Sequence, residues 1–223
     1  MFVTGTDTGV GKTRVAAGLC RAFARRGDRV AAMKPVASGC APTPRGLRNA
    51  DALALRAAMT VRAPYRDVNP FAFEPAIAPH IVAQDLGVTI DFDVLDQAYR
   101  NLAEHADVVI VEGAGGWLVP LDARRCFADL AAFWCLDVIL VVGLRLGCLN
   151  HALLTAEAVS RRNLCLRGWV GNSVDPEFAR AEENIGALRE RLAAPCLGVL
   201  HFAPGDNADA VGAALHAGVE NLS

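Results

Sequence analysis

The stretch Gly5-Thr6-Asp7-Thr8-Gly9-Val10-Gly11-Lys12-Thr13 decides how the rest of the chain is read. It follows a short apolar strand, Phe2-Val3-Thr4. It leads into a segment, Thr13 to Arg26, where Val15, Leu19, Ala22 and Phe23 recur at helical spacing and Gly27 follows as a stop. A glycine-rich loop between strand and helix lets backbone N–H groups wrap an anion. The helix start adds a favourable dipole, and a lysine there reaches the outer phosphates of a nucleotide. Thr13 is placed to offer its hydroxyl to Mg²⁺. The match to G-x-x-x-x-G-K-[ST] is offset, because Thr6 stands where the first glycine belongs and the glycine lies one residue earlier, at Gly5. A phosphate loop of altered length fits.

Outward from this loop the pattern alternates strand and helix. Arg29 to Val36 reads as a strand broken by Pro35, and Asn49 to Met59 as a helix with a polar start. Residues 60–80 are rich in proline and read mostly as loop. Phe92 to His105 is predicted helical. Asp107 to Glu112 and Val138 to Val142 are predicted buried strands, from their unbroken apolar centres. A short helix is expected at Phe127 to Trp134 and a longer one at Asn150 to Arg162. Strand at Leu164 to Asn172, helix at Pro176 to Leu192, strand at Cys196 to Leu200 and helix at Asn207 to Val219 complete the series. Alternation of this kind predicts an α/β fold with three layers, a mostly parallel central sheet flanked by helices on both faces. No repeat or linker marks a second domain, so a single domain over residues 1–223 is expected. In such folds ligands sit at the carboxyl ends of the strands.

Composition narrows the function classes. A net charge of −2 carries no footprint for nucleic acid. The longest apolar run, around Val138 to Gly143, is far short of the ~20 residues of a membrane span. No basic stretch precedes the first apolar residues, so no secretory signal is expected. The seven cysteines form no C-x-x-C pair, which reads as reduced thiols in a cytoplasmic protein. The histidines show no ligand spacing and no G-x-S-x-G elbow exists, which argues against zinc and serine-nucleophile chemistry. The basic residues are 20 arginines and only two lysines, Lys12 and Lys34. Lysine is a compact point charge where arginine is a broad fork. Both lysine positions therefore point to an ammonium in a tight site.

Several polar residues fall just after predicted strands. Glu112 ends a buried strand and precedes Gly113-Ala114-Gly115-Gly116, the place where a phosphate-loop enzyme holds an Mg²⁺-associated carboxylate. Lys34 and Ser38 follow the second strand and suit an anion or substrate contact. Asp51, by position alone, fits an acidic residue in a helix first turn. Asn150 serves equally well as a helix cap, and Asn172 as a turn former.

The set GTDTGVGKT, KPVASG, LRNADALAL, VNPFAF, PH at 79–80, VEGAGGWLVP, VILVVGLRLGCLNHALLTAEA and WVGN, in order from residue 2 to about residue 200, resembles the ATP-dependent dethiobiotin synthetases, a phosphate-loop NTPase family. The offset loop is a feature of that family. The resemblance implies that 7,8-diaminononanoate, CO₂ (or bicarbonate) and ATP are substrates and Mg²⁺ a cofactor. It implies a homodimer with the substrate site near the subunit interface, and neither a nucleic-acid nor a membrane partner. It gives Gly9, Val10, Gly11, Lys12, Thr13 and Arg14 to the nucleotide phosphates. Thr13, Asp51 and Glu112 go to Mg²⁺, and Lys34 to the carbamate and the charge that develops during transfer. Thr8 and Ser38 match carbamate or substrate contacts, and Gly115 and Gly116 lie in the loop approaching the substrate. Asn172 matches the residue that reads the adenine, with Ser173, His201, Phe202 and Ala203 alongside and Asp206 as a ribose contact. Gly147 to Asn150 of a second subunit, with Cys148, Leu149 and Asn150, matches the part that holds the substrate's distal carboxylate. The family often adds a tyrosine there from the neighbouring subunit, and its approximate counterpart here is Asn184.

Two other readings compete. Ring- or amide-forming ligases of the cobyrinic acid diamide synthase type usually append a glutaminase domain, for which this chain has no room. Switch proteins of the partition-ATPase type carry an extra lysine early in the glycine loop, and here no lysine precedes Lys12.

Overall fold

The structure is a computed structural model describing residues 1–203, 205, 207–220 and 222. In chain order its elements begin with β1 (Phe2–Gly5), α1 (Lys12–Arg26), β2 (Val30–Met33), β3 (Val36–Ala37), α2 (Ala50–Ala58), α3 (Tyr65–Val68) and β4 (Phe71–Ala72). There follow α4 (Pro79–Asp85), α5 (Phe92–Ala103), β5 (Val108–Glu112), α6 (Phe127–Phe133) and β6 (Val138–Leu144). The series ends with α7 (Cys148–Ser160), β7 (Leu166–Ser173), α8 (Ala181–Arg191), β8 (Cys196–Leu200) and α9 (Ala208–Glu220). Six strands form one parallel sheet in the order β2-β5-β1-β6-β7-β8, and β3 pairs β4 in a separate two-stranded sheet.

The apolar runs are strands buried on both faces, and alternate side chains go to opposite layers. Ile110, Ile139 and Val141 join Val15, Leu19 and Phe23 of α1, Leu55 of α2 and Leu215 of α9 in one core. Val109, Val111 and Val138 turn the other way, toward Leu95 of α5 and Leu130 of α6. Leu140, Val142 and Trp169 complete that second face with Ala152 of α7 and Leu188 of α8. The expected three-layer α/β architecture is what the chain forms.

The differences from the sequence reading lie at boundaries and in the proline-rich stretch. Pro35 ends β2, and the chain restarts as β3 in the second sheet, because proline has no N–H to continue a ladder. Residues 60–80 are mostly loop, as expected, but they also contain α3, β4 and the start of α4, whose first residue is Pro79, the helix position that needs no N–H donor. The helix expected from Pro176 begins only at Ala181, after Arg180 takes a left-handed conformation at φ 59°. The α7 helix starts at Cys148 with Gly147 as its cap, so Asn150 lies inside the first turn and is not the cap.

The site is positioned by the central strand. β1 lies between β5 and β6, the strand that follows it in sequence pairs elsewhere, and the crevice opens at the carboxyl ends beside it.

Candidate functional site

The glycine loop turns from β1 into α1 through two left-handed residues, Gly9 at φ 74° and Gly11 at φ 89°. At Gly11 a side chain is excluded twice, by this φ and by Asn172, whose Nδ2 occupies the space a Cβ would need. Asn172 Nδ2 donates to the Val10 carbonyl at 2.9 Å, and its Oδ1 accepts from Arg14 at 2.6 Å. Arg14 also donates to the His201 carbonyl, which ties the last strand's exit to α1. The Lys12 ammonium curls back over the loop and donates to the Asp7 carbonyl at 3.0 Å. Asp7 is held in turn by an ion pair with Arg145, just past β6.

Glu112, at the end of β5, has no exposed surface. One of its carboxylate oxygens, Oε1, accepts from Thr13 Oγ1 at 2.8 Å and from Lys34 Nζ at 2.6 Å. The other, Oε2, is buried and has no partner among the described residues. Lys34 is 3% exposed, and its ammonium also donates to the Gly113 carbonyl at 3.1 Å and pairs with Asp51 at 3.0 Å. Its three hydrogens thus have three partners. Burial alone pulls an ammonium pKa down; Glu112 and Asp51 outweigh it here and hold Lys34 above its ordinary value. Asp51 shows the mirror image. Burial pushes its carboxyl up, but the Lys34 charge wins and holds it below the usual range. Lys12 lacks such close partners. Burial and then the Lys34 charge bring it down to about 8.

These groups line one cavity of about 620 Å³. Of the residues singled out in the sequence, Thr8, Gly9, Gly11, Lys12, Thr13, Lys34, Ser38, Asp51, Glu112 and Gly115 line it. Both lysines of the chain are therefore buried in the same cavity wall. Val10 packs into the core behind the loop, and Gly116 sits close to the Gly5 carbonyl. Asn172, Ser173 and the exposed His201 and Phe202, with half-buried Ala203, lie beyond Arg14, outside this cavity. The side-chain amide of Asn172 is occupied at both ends by the loop and Arg14. Cys148 is buried in the core beneath α7, while Leu149 is half-buried and Asn150 exposed; none of the three lines the cavity. Asn184 bonds back to the Arg180 carbonyl at 2.9 Å. Asp206 lies outside the described residues.

Sequence reasoning missed the opposite wall, which Ala76, Ile77, Ala78 and Pro79 build with Ala114 and Val119. It also missed Asn49, whose Oδ1 caps α2 through the Ala52 amide at 3.1 Å. The run Asn49-Ala50-Asp51 carried a cap signal, but nothing local in Ala76 to Pro79 announces a cavity wall.

The donor set fits a hard cation. A hydroxyl and two carboxylates converge, with one buried carboxylate oxygen, Glu112 Oε2, unpartnered among the described residues. All three donors are oxygens, the set that magnesium takes, with none of the sulfur or imidazole nitrogen that zinc sites normally include.

Comparison with known proteins agrees with this geometry. Residues 1–206 match the family model described as an AAA domain. The fold is similar to the septum-site protein MinD of Pyrococcus horikoshii, with TM-score 0.60 and 16% identity over 100% of this chain and 95% of that one. It is equally similar to MinD in the MinC:MinD complex of Aquifex aeolicus, with TM-score 0.60 and 15% identity over 99% of this chain and 94% of that one. At such identities only the architecture is shared. The sequence goes further. It is 57% identical over 198 residues to an ATP-dependent dethiobiotin synthetase of Pseudomonas aeruginosa strain UCBPP-PA14, covering 88% of this chain and 87% of that protein. It is 50% identical over 209 residues to one of Xanthomonas euvesicatoria pv. vesicatoria strain 85-10, covering 94% and 93%. With a phosphate loop, a buried lysine–carboxylate cluster and this identity over nearly its whole length, the chain belongs to the ATP-dependent dethiobiotin synthetase family.

Proposed function

We propose that this chain converts 7,8-diaminononanoate, CO₂ and ATP to dethiobiotin, ADP and phosphate, the ring-forming step of biotin biosynthesis. One amine of the substrate takes up CO₂ as a carbamate. A carbamate oxygen attacks the γ-phosphorus, ADP leaves, and a mixed carbamic–phosphoric anhydride results. The second amine then attacks the carbonyl carbon, loses a proton and expels phosphate as the ureido ring closes. No residue forms a covalent bond, so catalysis is positioning and charge neutralisation. The observation that carries this reading is the convergence of Lys12, Thr13, Lys34, Asp51 and Glu112 on one cavity that also has an apolar wall.

In this reading the backbone of Gly9 to Thr13 cradles the phosphates and Lys12 neutralises the β/γ oxygens. Thr13, Asp51 and Glu112 would hold Mg²⁺, which when bound offsets the charge on those oxygens. Lys34 supplies its charge to the carbamate. Because its three hydrogens are engaged, direct contact requires it to exchange a partner, and half-exposed Asp51 is the partner freest to move. Thr8 and Ser38 border the reacting end. Ser38 Oγ is buried without a partner among the described residues and is available to the substrate. Gly115, at φ 63°, and Gly116 let the loop after β5 approach closely. Asn172 borders the base together with Ser173 and residues 201–203. It acts there chiefly by holding the loop, since its amide is already bonded.

The chain works as one domain and as a homodimer in the cytoplasm. The start of α7 from a second subunit offers its N–H groups to the distal carboxylate. Leu146, 92% exposed beside that start, suits such an interface. Cys148, being buried, would contribute only its backbone.

The test is phosphate release from MgATP and bicarbonate, with and without the diamine, with product mass recorded. Diamine-dependent release and a product heavier by one carbonyl, less two hydrogens, is expected. Release indifferent to the diamine would overturn the reading and favour a nucleotide switch of the kind the shared fold also serves.

A further inference from the structure

Lys34 stands just past β2, the edge strand of the main sheet, and β5 pairs that strand on one side only. Among the described residues no strand of this sheet covers the outer side of Lys34's main chain. The last residue of α3, Val68, and its cap, Asn69, do so instead. The Lys34 amide donates to the Val68 carbonyl at 2.7 Å, and the Lys34 carbonyl accepts from Asn69 Nδ2 at 2.8 Å. Asn69 is 3% exposed and its amide is fully used. Nδ2 also donates to the Phe71 carbonyl at 3.1 Å, and Oδ1 accepts from the Tyr65 hydroxyl at 3.1 Å. The Tyr65 oxygen in turn accepts from the Asn49 amide at 2.8 Å. Asn49 caps α2, and Asp51 in the first turn of α2 reaches back to the Lys34 ammonium at 3.0 Å.

These bonds close a circuit: Lys34 carbonyl, Asn69, Tyr65, Asn49, α2, Asp51, Lys34 ammonium. We infer that Asn69 and Tyr65 are positioning residues for the reaction, fixing where Lys34 and Asp51 meet. The inference rests on the reaction proposed above. Neither residue lines the reaction cavity; both line a separate surface cleft beside Arg48. They act only through the two groups they hold. A cluster with charges 2.6 to 3.0 Å apart is sensitive to small displacements, because electrostatic stabilisation in a dry site depends on preset geometry. Displacement by ~1 Å can cost ~100-fold in rate.

Tyr65→Phe keeps the ring under Arg48, whose guanidinium sits 4.1 Å from the ring centre, and removes only the hydroxyl. Asn69→Ala removes the splint from Lys34. Each variant is expected to lower kcat about fivefold to tenfold, with the KM for ATP within about twofold of wild type. The double variant should fall no more than about twofold below the worse single, because both cut one circuit. Val219→Ala, a buried change on α9, controls for lost stability and should leave kcat unchanged.

A second readout does not depend on the reaction. Because the chain has only two lysines, protein grown with ¹⁵N- and ¹³Cε-labelled lysine gives one NMR signal set for Lys12 and one for Lys34. Tyr65→Phe and Asn69→Ala should move the Lys34 signals and leave those of Lys12 in place. Unmoved Lys34 signals, an unchanged kcat, or a raised KM at constant kcat would overturn the inference. If the wild type makes no product from the diamine, the proposed reaction falls, and the lysine signals alone then decide whether the circuit sets Lys34.

Discussion

Replacing Lys34 with methionine removes one positive charge from a pocket that keeps two negative ones. Methionine fills nearly the same volume, so the cost is electrostatic. Glu112 has no exposed surface and loses its 2.6 Å partner, while Asp51, its side chain 44% exposed, turns to water at little cost. Leaving one buried partner of an ion pair uncompensated costs about 3–5 kcal/mol. For a chain of this size that corresponds to a fall in Tm of roughly 6–20 °C. The sign with pH follows from linkage. Without the ammonium, burial disfavours the charged form of the Glu112 carboxyl. The penalty is therefore smaller in acid and grows as pH rises. Urea unfolding of wild type and Lys34→Met at pH 5.5 and pH 8 measures it. The gap between them should be wider at pH 8, and Lys34→Met/Glu112→Gln should recover more than half of it. An equal gap at both pH values, with no recovery in the double variant, would refute the view that Lys34 exists to neutralise Glu112.

Three further outcomes are expected. Lys34→Arg should lower turnover about 100-fold while MgATP binding stays measurable by titration, since a planar guanidinium does not fit three partners set for an ammonium. Gly11→Ala should abolish nucleotide binding and lower stability by about 1–3 kcal/mol in a urea melt, because φ is 89° and the new Cβ would meet Asn172. Arg29 holds the exposed Asp107 carboxyl down to about 2 through side-chain and backbone hydrogen bonds. That contribution to stability is present above the unfolded pKa and is lost as pH falls toward 2. Arg29→Met should raise the Asp107 midpoint in a carboxyl NMR titration.

The layered architecture was legible because it depends on local pattern. Unbroken apolar runs at Val108–Glu112 and Val138–Leu144 have no stable place except inside a parallel sheet covered on both faces, and the helical repeats between them supply the cover. The phosphate loop was legible for the same reason: its glycines, lysine and threonine act within a few residues of one another. The scarcity of lysine marked Lys34 as well. Residues 60–80 are mostly loop, as their prolines suggest, but the short elements inside them were not legible, since one proline starts α4 and the hydrogen bonds that make β4 come from β3. The partners of each site residue were decided only by tertiary structure. Lys34, Asp51 and Glu112 lie far apart in the chain, and no local propensity says that one ammonium will hold both carboxylates. Asp51 illustrates the limit: alone it reads as an acid favouring a helix start, and it becomes part of a charge cluster only when Tyr65 and Asn69 bring α2 against the end of β2. Sequence thus determined which elements form and which chemistry they can carry. Folding decided which charges face each other, because electrostatic energy depends on separation and burial in space, and neither is set by position along the chain.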